Sequence, residues 1–491
     1  MDADLDPRTP VLVGVGLVEQ HEDDPTVARD AFGLMLAAAH AAADDAGNPE
    51  LLRQIDLVAV PRGQWRYGDP GRHLAAALGS ARVTSVLALV GVLQQTLIGE
   101  ACRRIADGTI ELALVTGGEA RYRRLRERIL DVRASDTVAD GEPDELLEPT
   151  AEIVLGSEMA AGLGSMAVGY YAIIESALRA AQGLGVEAHR DRLAAMYHRF
   201  SEIAAANPHA WRREAVSPEV VRGPSRANPM LAFPYTKLHN SSWNVDQAAA
   251  LLLCSVRRAR ALGVPRSQWV FPLASTETNH MTSLSERAEL ASCPGARIAG
   301  RRALELGGVD PAQLSLVELY TCFPAAVQLH AQELGIPDSM DWTVTGAMPF
   351  AGGPFNSYVL QSTGRMIELL RQRPGSTGLV SSVSGVLTKQ GFGLWSTAAG
   401  PGPFASVDLT DEVANATATR PIADRPSGPA TIAGYTVVYS GETQRGVALA
   451  DLPDGSRAMA GTNDPASIER MEREQLCGWP VELHNGELRF T

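Results

Sequence analysis

Residues 91–119, GVLQQTLIGEACRRIADGTIELALVTGGE, contain a helical pattern that leads directly into a buried strand. Within residues 92–105 the apolar side chains recur every three or four positions, which predicts an amphipathic helix. Gly108 follows as the expected stop signal. Residues 111–116 then form a short apolar run that ends at a Gly-Gly pair, as a strand does.

The same alternation of strands and helices continues on both sides of this stretch. The other predicted strands are residues 11–15, 56–60, 83–90, 269–274, 314–319 and 377–383. The other predicted helices are residues 28–43, 73–78, 296–306 and 359–371. This alternation predicts an α/β fold with mostly parallel sheets.

Three segments depart from this pattern. Residues 121–240 are rich in charge and proline, which predicts a long and partly helical insertion. Residues 411–430 are rich in Ala, Thr, Pro and Asp, which predicts a linker. Residues 431–491 contain short β-like runs around one polar helix, which predicts a small closed β domain.

Composition excludes several classes of function. The 491-residue chain carries a net charge of −14, and the C-terminal segment is also acidic, so a nucleic-acid partner is not expected. Its five cysteines form no C-x-x-C pair, and we predict no metal site and reduced thiols in the cytoplasm. No apolar run is long enough to cross a bilayer, and the N-terminus has no signal-peptide pattern.

Four segments together resemble the thiolase superfamily. Residues 91–119 resemble the thiolase segment C-x-S-G…D-x-x-L-x-G-G-x-E, and VELYTCFP at 317–324 resembles VELHDCFS. AGGPFNSYVLQSTG at 351–364 resembles GG…GHPLGATG, and residues 378–393 resemble the last catalytic strand and loop. The order of the four segments is specific, and with the C-terminal segment it is most similar to the type 1 thiolase-like proteins.

The resemblance implies a thiolase fold, in which two similar α/β halves pack in layers. It assigns residues 1–120 with 241–265 to the first half and residues 266–410 to the second. Residues 121–240 become the loop domain between them, and residues 431–491 resemble an OB-fold partner fused to the chain. Thiolases usually dimerise, so a monomer and a homodimer both remain open.

The resemblance also implies that the catalytic set of a thiolase is missing. A thiolase uses a cysteine thiolate at a helix N-terminus, where the helix dipole favours the anion. The count back from Gly108 puts this position at Gly91. The histidine positions of GHP and HDCF correspond to Tyr358 and Tyr320, and the second cysteine position lies near Ser384. Loss of the nucleophile alone removes the acyl-enzyme route.

Three functional hypotheses follow. The first is a protein that binds acyl-CoA thioesters, carries no covalent cofactor and is not an active thiolase. The second is a lyase that cleaves a β-hydroxyacyl-CoA by a retro-aldol reaction, with Tyr320 and Tyr358 as acid and base candidates. The third is an interaction protein without catalysis.

Side chains outside the tyrosine pair carry weaker predictions. The candidates for the CoA phosphates are Arg121, Arg123, Arg124, Arg222 and Arg226. Cys102, Cys322, His239 and His280 are each expected to be structural, although either histidine could border the pocket. Gly14-Val15-Gly16 lacks the third glycine of a dinucleotide fingerprint and is not expected to bind a nucleotide.

Overall fold

The computed structural model of the chain describes residues 5–151 and 155–490, and strands alternate with helices through most of it. The strands before residue 260 are β1 (Pro10–Glu19), β2 (Leu57–Pro61), β3 (Thr84–Ala88), β4 (Leu112–Ala120), β5 (Glu145–Leu147), β6 (Met230–Ala232), β7 (Tyr235–Thr236) and β8 (Asp246–Ser255). The later strands are β9 (Phe271–Thr278), β10 (Leu316–Glu318), β11 (Thr377–Ser384), β12 (Lys389–Ser396), β13 (Ala405–Asp408), β14 (Gly428–Ser440), β15 (Thr443–Asp451), β16 (Arg457–Thr462), β17 (Pro480–His484) and β18 (Glu487–Arg489).

The α-helices fall into two groups along the chain. Those before residue 265 are α1 (Ala31–Asp45), α2 (Pro70–Leu78), α3 (Gln94–Asp107), α4 (Arg121–Leu130), α5 (Gly156–Ala161), α6 (Val168–Ala181), α7 (Val186–Ala206), α8 (Pro218–Arg222) and α9 (Val256–Ala261). Those after it are α10 (Pro294–Gly307), α11 (Pro324–Leu334), α12 (Met348–Ala351), α13 (Tyr358–Arg371), α14 (Thr410–Ala416) and α15 (Pro465–Arg473). No helix within the described ranges is long and apolar enough to span a membrane.

Helix α3 forms where the apolar period predicts it. Leu97, Ile98 and Ile105 are buried on one face, as the spacing requires. Gly108 ends the helix in the left-handed conformation at φ 82°, which glycine adopts without steric cost. The helix contacts β8 and β9, so it lies between the two sheets that contain these strands.

The first sheet has the strand order β1-β8-β4-β2-β3-β5 and is mixed. The pairings β4–β2, β2–β3 and β3–β5 are parallel, as expected, whereas β8 runs antiparallel to both β1 and β4. Ala120 at the end of β4 pairs with Asp246 at the start of β8. The insertion therefore leaves the sheet at the end of β4 and returns at the same end of the neighbouring strand β8. For this reason β8 is antiparallel to β4.

The second sheet has the order β10-β11-β12-β9-β13. Helix α13 contacts strands of both sheets and therefore lies beside α3 in the middle layer, while α1 packs on the first sheet and α10 on the second. Leu12 and Val270 join β1 to β9 through two backbone hydrogen bonds of 2.8 and 3.0 Å. The prediction of two similar halves packed in layers is confirmed.

The C-terminal strands close into a barrel. Strand β14 pairs with both β15 and β17, and the circle is completed by the pairs β15–β16, β16–β18 and β17–β18. The predicted small closed β domain is confirmed. The barrel also continues into the insertion, because Val438 of β14 pairs with Ala232 of β6. Residues 411–430, predicted as a linker, include most of α14 and the first residues of β14.

Candidate functional site

Gly91 lies three residues before the first residue of α3, at the position that the resemblance assigns to the thiolase nucleophile. Its φ is 103°, a conformation that side chains rarely adopt. A Cβ at this position would also lie 3.1 Å from the Cβ of Pro149, closer than ordinary contact. The backbone here accommodates glycine and is unfavourable for a cysteine.

Lys389 is a functional candidate that the sequence analysis missed. It is the first residue of β12, is 1% exposed, and donates hydrogen bonds from Nζ to Gly91 O (3.1 Å) and Ala151 O (2.8 Å). It makes no ion pair with the described residues. Burial lowers the pKa of Lys389. A buried amine therefore lies against the peptide group of Gly91, the position that the resemblance assigns to the thiolase nucleophile.

Tyr358 begins α13, and its hydroxyl is fully occupied inside the protein. It donates to Glu318 Oε1 at 2.7 Å and lies 2.7 Å from Thr345 Oγ1 and 3.3 Å from Thr321 Oγ1. Burial raises the pKa of Tyr358 well above its ordinary value, and the Glu318 carboxylate raises it further. Tyr358 therefore remains a protonated phenol at neutral pH.

Tyr320 meets Tyr358, as the resemblance predicts for this pair. The two ring centroids lie 5.8 Å apart in an edge-to-face arrangement. Burial also raises the pKa of Tyr320, and the neighbouring Cys322 contributes. No hydrogen bond to the Tyr320 hydroxyl is formed by residues 5–151 or 155–490. Of the two phenols, Tyr320 is the one with a hydroxyl still able to contact a ligand.

Ser384 is the last residue of β11 and pairs with Lys389 across a strained turn. Gly385, Val386 and Leu387 have φ values of 65°, 55° and 66° in succession. For a β-branched residue such as Val386 this conformation is a genuine outlier. Backbone strain of this kind persists where the surroundings over-determine it, and such positions cluster at functional sites.

A cavity of about 20 Å³ lies beside Tyr358 and is lined by His209, Glu19 and Gln247 among others. His209 Nε2 lies 2.9 Å from Glu368 Oε1, and its Nδ1 lies 3.8 Å from Glu19 Oε2. Burial alone would lower the pKa of His209, but the two carboxylates outweigh it and raise the pKa to about 9. The imidazolium is therefore the form that the folded state prefers at neutral pH.

The raised pKa of His209 predicts a loss of stability in alkali. Its contribution is complete below the unfolded pKa of about 6.5 and disappears as the pH rises to about 9. We expect thermal melts to show that His209→Gln removes roughly 1–2 kcal/mol of this pH dependence, because solvent screens the half-buried pair. The control is His73→Gln, since His73 hydrogen-bonds only Asp140 O within the described chain. Equal pH profiles for the two variants would contradict the assignment.

The five candidate arginines lie in different environments. Arg123 and Arg124 both pair with Asp136, and Arg222 pairs with Glu187 and Asp191. The Arg121 guanidinium lies 4.5 Å from the centre of the Trp243 ring and makes no ion pair with the described residues. Arg226 is exposed and makes none there either. Arg121 and Arg226 are therefore the members of the set that make no ion pair with the described residues, although the nearby Glu119 carboxylate interacts with the Arg121 charge.

Of the remaining cysteine and histidine candidates, Cys102 and His239 are buried, and Cys322 and His280 are half-buried. Cys102 is fully buried in α3, and burial raises the pKa of its thiol. Burial raises the pKa of Cys322 to about 12, so its thiol is not ionised at neutral pH. His239 accepts from Thr236 N at 3.2 Å at the start of a short 3₁₀ turn, and burial lowers the pKa of its ring to about 4. Cys102, Cys322 and His239 have the surroundings of structural residues.

A second buried polar cluster joins the insertion to the C-terminal half. Glu175 on α6 receives hydrogen bonds from His189 (2.7 Å), Gln328 (2.8 Å) and the Tyr235 hydroxyl. Glu175 and His189 are fully buried. The sequence analysis missed this cluster, although a glutamate within the otherwise apolar run YYAIIES was the available signal.

One comparison matches the C-terminal part of the chain, and another matches nearly its whole length. Residues 408–487 match the family model described as the thiolase-like protein type 1 additional C-terminal domain. The crystal structure of a monomeric SCP2-thiolase-like protein type 1 from Mycobacterium smegmatis superposes with a TM-score of 0.82 at 27% identity. That alignment covers 99% of this chain and 100% of the other.

Two further comparisons cover parts of the chain. An Ltp2–ChsH2(DUF35) aldolase superposes with a TM-score of 0.59 at 17% identity, over 80% of this chain and 99% of that one, which shows a shared fold alone. An acetyl-CoA acetyltransferase of Methanocaldococcus jannaschii is 26% identical over 238 residues, or 47% of this chain. The match spans 57% of that relative's length.

Proposed function

We propose that the chain, which resembles the type 1 thiolase-like proteins in fold and matches their additional C-terminal domain, binds acyl-CoA thioesters and forms no covalent acyl-enzyme. The observation that carries the proposal is Gly91. It supplies no nucleophile, and its backbone conformation and its contact with Pro149 both disfavour one. A thioester that enters such a site is held without acyl transfer.

The other thiols of the chain support the same conclusion. A cysteine becomes a nucleophile when its surroundings favour the thiolate, as a helix N-terminus or a nearby cation does. Cys102 lies inside α3, and burial raises the pKa of both Cys102 and Cys322. Cys102 is fully buried, and Cys322, although half-buried and close to the start of α11, has a pKa raised to about 12 and remains a thiol at neutral pH.

Charge on α4 supports the binding of the CoA phosphates. Arg121 lies on α4, makes no ion pair with the described residues and stacks on Trp243, which is 39% exposed. An accessible aromatic ring beside a guanidinium suits a nucleotide, whose base can stack while its phosphates pair with arginine. Arg123 is buried against Asp136 and contributes to this surface mainly by fixing α4.

The test is isothermal titration calorimetry of the full chain with acetyl-CoA, butyryl-CoA and free CoA, followed by mass spectrometry of protein and ligand. We expect saturable binding, unchanged thioester and no covalent adduct. Arg121→Met is expected to weaken binding about tenfold, the loss of one charge-assisted contact. Arg302→Met on α10 is the control, because Arg302 pairs only with exposed Glu305. Acyl transfer to CoA or to the protein would refute the proposal, and no heat with any ligand would favour a purely interacting protein.

The contact between Tyr320 and Tyr358 favours one alternative, a retro-aldol lyase acting on a β-hydroxyacyl-CoA. In that reaction the β-hydroxyl loses its proton, the Cα–Cβ bond breaks, and the enolate of the thioester accepts a proton. The raised pKa of Tyr320 keeps it protonated, which suits it to donate the last proton and not to remove the first. The Tyr358 hydroxyl already donates to Glu318, so Tyr358 acts by positioning the Tyr320 ring. Tyr320→Phe should abolish the release of a carbonyl fragment, and a rate equal to wild type would exclude Tyr320.

A further inference from the structure

A cavity of about 180 Å³ lies between the C-terminal thiolase half and the segment that leads into the barrel. It is lined by the start of α10, by residues between 280 and 289, by the strained turn before β12, and by residues of 413–418. The last group belongs to the part of the chain that matches the additional C-terminal domain. The volume corresponds to about six water-sized groups.

Arg287 is the positive charge of this cavity that no carboxylate neutralises. Its Nη2 donates to Val386 O at 2.5 Å, its Nε is buried without a partner, and it makes no ion pair with the described residues. Burial lowers the pKa of Arg287, which means that the folded protein holds its charge at a cost. A half-buried guanidinium without an ion pair is stabilised by an anion that reaches it.

The first turn of α10 faces the same space and adds donors. Its N-cap residue, Cys293, makes no side-chain cap, and Pro294 has no N–H. The amide of Gly295, which lines the cavity, is left without an acceptor among the described residues. The partial positive charge of a helix N-terminus favours an anion at this point.

Among the charged groups around the cavity, Arg287 is the one best placed to bind an anion. Arg297 is neutralised by Glu333, with Nη1 2.9 Å from Oε2. His280 hydrogen-bonds to Thr282 at 2.7 Å, and burial together with Arg287 lowers its pKa, so it remains neutral. Glu289 is exposed at the rim. Glu158 lowers the cost of the Arg287 charge from a distance without an ion pair.

The strained turn has a defined role in this arrangement. Positive φ at Val386 and Leu387 turns the carbonyl of Val386 to Arg287 and the carbonyl of Leu387 to Gln390 Nε2, at 2.9 Å. The turn thereby fixes the guanidinium at the cavity. It also leads directly to Lys389, so an occupant of the cavity lies next to the segment that fastens the Gly91 peptide group.

We propose that this cavity binds a small organic anion, a carboxylate or a phosphate monoester of about six non-hydrogen atoms. The oxyanion accepts hydrogen bonds from Arg287 and from the amide of Gly295. The apolar part contacts Leu387 and Val413. This site goes beyond the proposed thioester binding, because none of its lining residues belongs to the set assigned to CoA.

The test is calorimetry of the full chain with sodium butyrate, inorganic phosphate and butyramide, the neutral counterpart of butyrate. We expect butyrate or phosphate to bind and butyramide to bind at least tenfold more weakly. Arg287→Met should reduce anion affinity at least tenfold. Arg302→Met, on α10 and outside the cavity lining, should leave anion affinity unchanged. Binding by phosphate alone would identify the phosphate source, and binding by butyrate alone the carboxylate source.

A second pair of variants covers the case in which Arg287→Met unfolds, since Arg287 also holds Val386. Ala416→Trp places bulk at the rim of the cavity, whereas Ala414→Trp places it on the same helix outside the lining. The first should block the anion and the second should not. Heat from neither anion, equal affinity for butyramide, or an anion affinity unchanged by both Arg287→Met and Ala416→Trp would overturn the proposal. These probes contain no CoA, so the result is independent of the thioester proposal.

Discussion

Replacement of Glu318 by leucine is expected to lower the free energy of unfolding by about 4 kcal/mol. The carboxylate is fully buried and accepts hydrogen bonds from the backbone N–H groups of Val344 (2.6 Å) and Thr345 (3.0 Å) and from the Tyr358 hydroxyl. Leucine leaves the Val344 amide and the Thr343 hydroxyl without this acceptor, and the Thr345 amide keeps only Thr343 Oγ1 at 3.2 Å. Each buried donor without a partner costs about 1–3 kcal/mol. Thermal or urea unfolding of the full chain measures the loss.

Glu318→Gln and Glu305→Leu calibrate this result. Glutamine keeps one acceptor oxygen, so about half of the loss is expected. Glu305 is exposed on α10 and pairs only with Arg302, so its replacement should change stability by less than about 0.5 kcal/mol. If Glu318→Leu and Glu305→Leu unfolded alike, the Glu318 network would not be holding Tyr358. Loss of thioester binding in Glu318→Gln, with the fold retained, would place Tyr358 in the ligand site.

Replacement of Glu175 by leucine is expected to lower the free energy of unfolding by about 3–5 kcal/mol, measured by urea unfolding of the full chain. Removing one partner from a buried charged cluster usually has an effect of this size. Glu175 connects α6 to α7 through His189 and to α11 through Gln328. Its loss therefore loosens the insertion against the C-terminal half as well as the cluster itself. Glu202→Leu on α7 is the matched control, since the Glu202–Arg199 pair is exposed and such pairs contribute little.

The cluster also predicts a dependence on acid. Burial opposes ionisation of Glu175, but the hydrogen bonds from His189, Tyr235 and Gln328 outweigh it and lower its pKa. The stability it contributes is present above the unfolded pKa of about 4.3 and is lost as the pH falls through the lower folded value. The difference in free energy of unfolding between wild type and Glu175→Gln should therefore become smaller as the pH falls. If this difference in free energy of unfolding stayed constant from pH 7 to pH 3, ionised Glu175 would not be the source of the stabilisation.

Local patterns were sufficient to predict most elements. The period of α3, its stop at Gly108 and the apolar runs of the strands depend on neighbouring residues, so they are readable one segment at a time. The meeting of Tyr320 and Tyr358 was also predictable, because the resemblance assigns both residues to the positions of one catalytic set. Their catalytic role, like the phosphate role of Arg121, stays a prediction.

Features that depend on distant partners were not readable. Lys389 opens the strand KQGFGLWS, where a lysine normally indicates solvent, and its two acceptors come from 91 and 151. The direction of β8 depends on where the insertion re-enters the sheet, which no residue within β8 records. The role of Glu318 is not readable from the motif VELYTCFP, because its donors lie in residues 343–358.

The pairing of β6 with β14 has a consequence for how the chain is made. Ala232 and Val438 are about two hundred residues apart, and β14 also closes the barrel through β15 and β17. During synthesis the side of β6 that pairs with β14 therefore stays without a partner strand until the C-terminal strands have been translated. Exposed edges of this kind recruit other chains. Expression of this protein should accordingly depend on chaperone supply more than that of a thiolase without the extra strands.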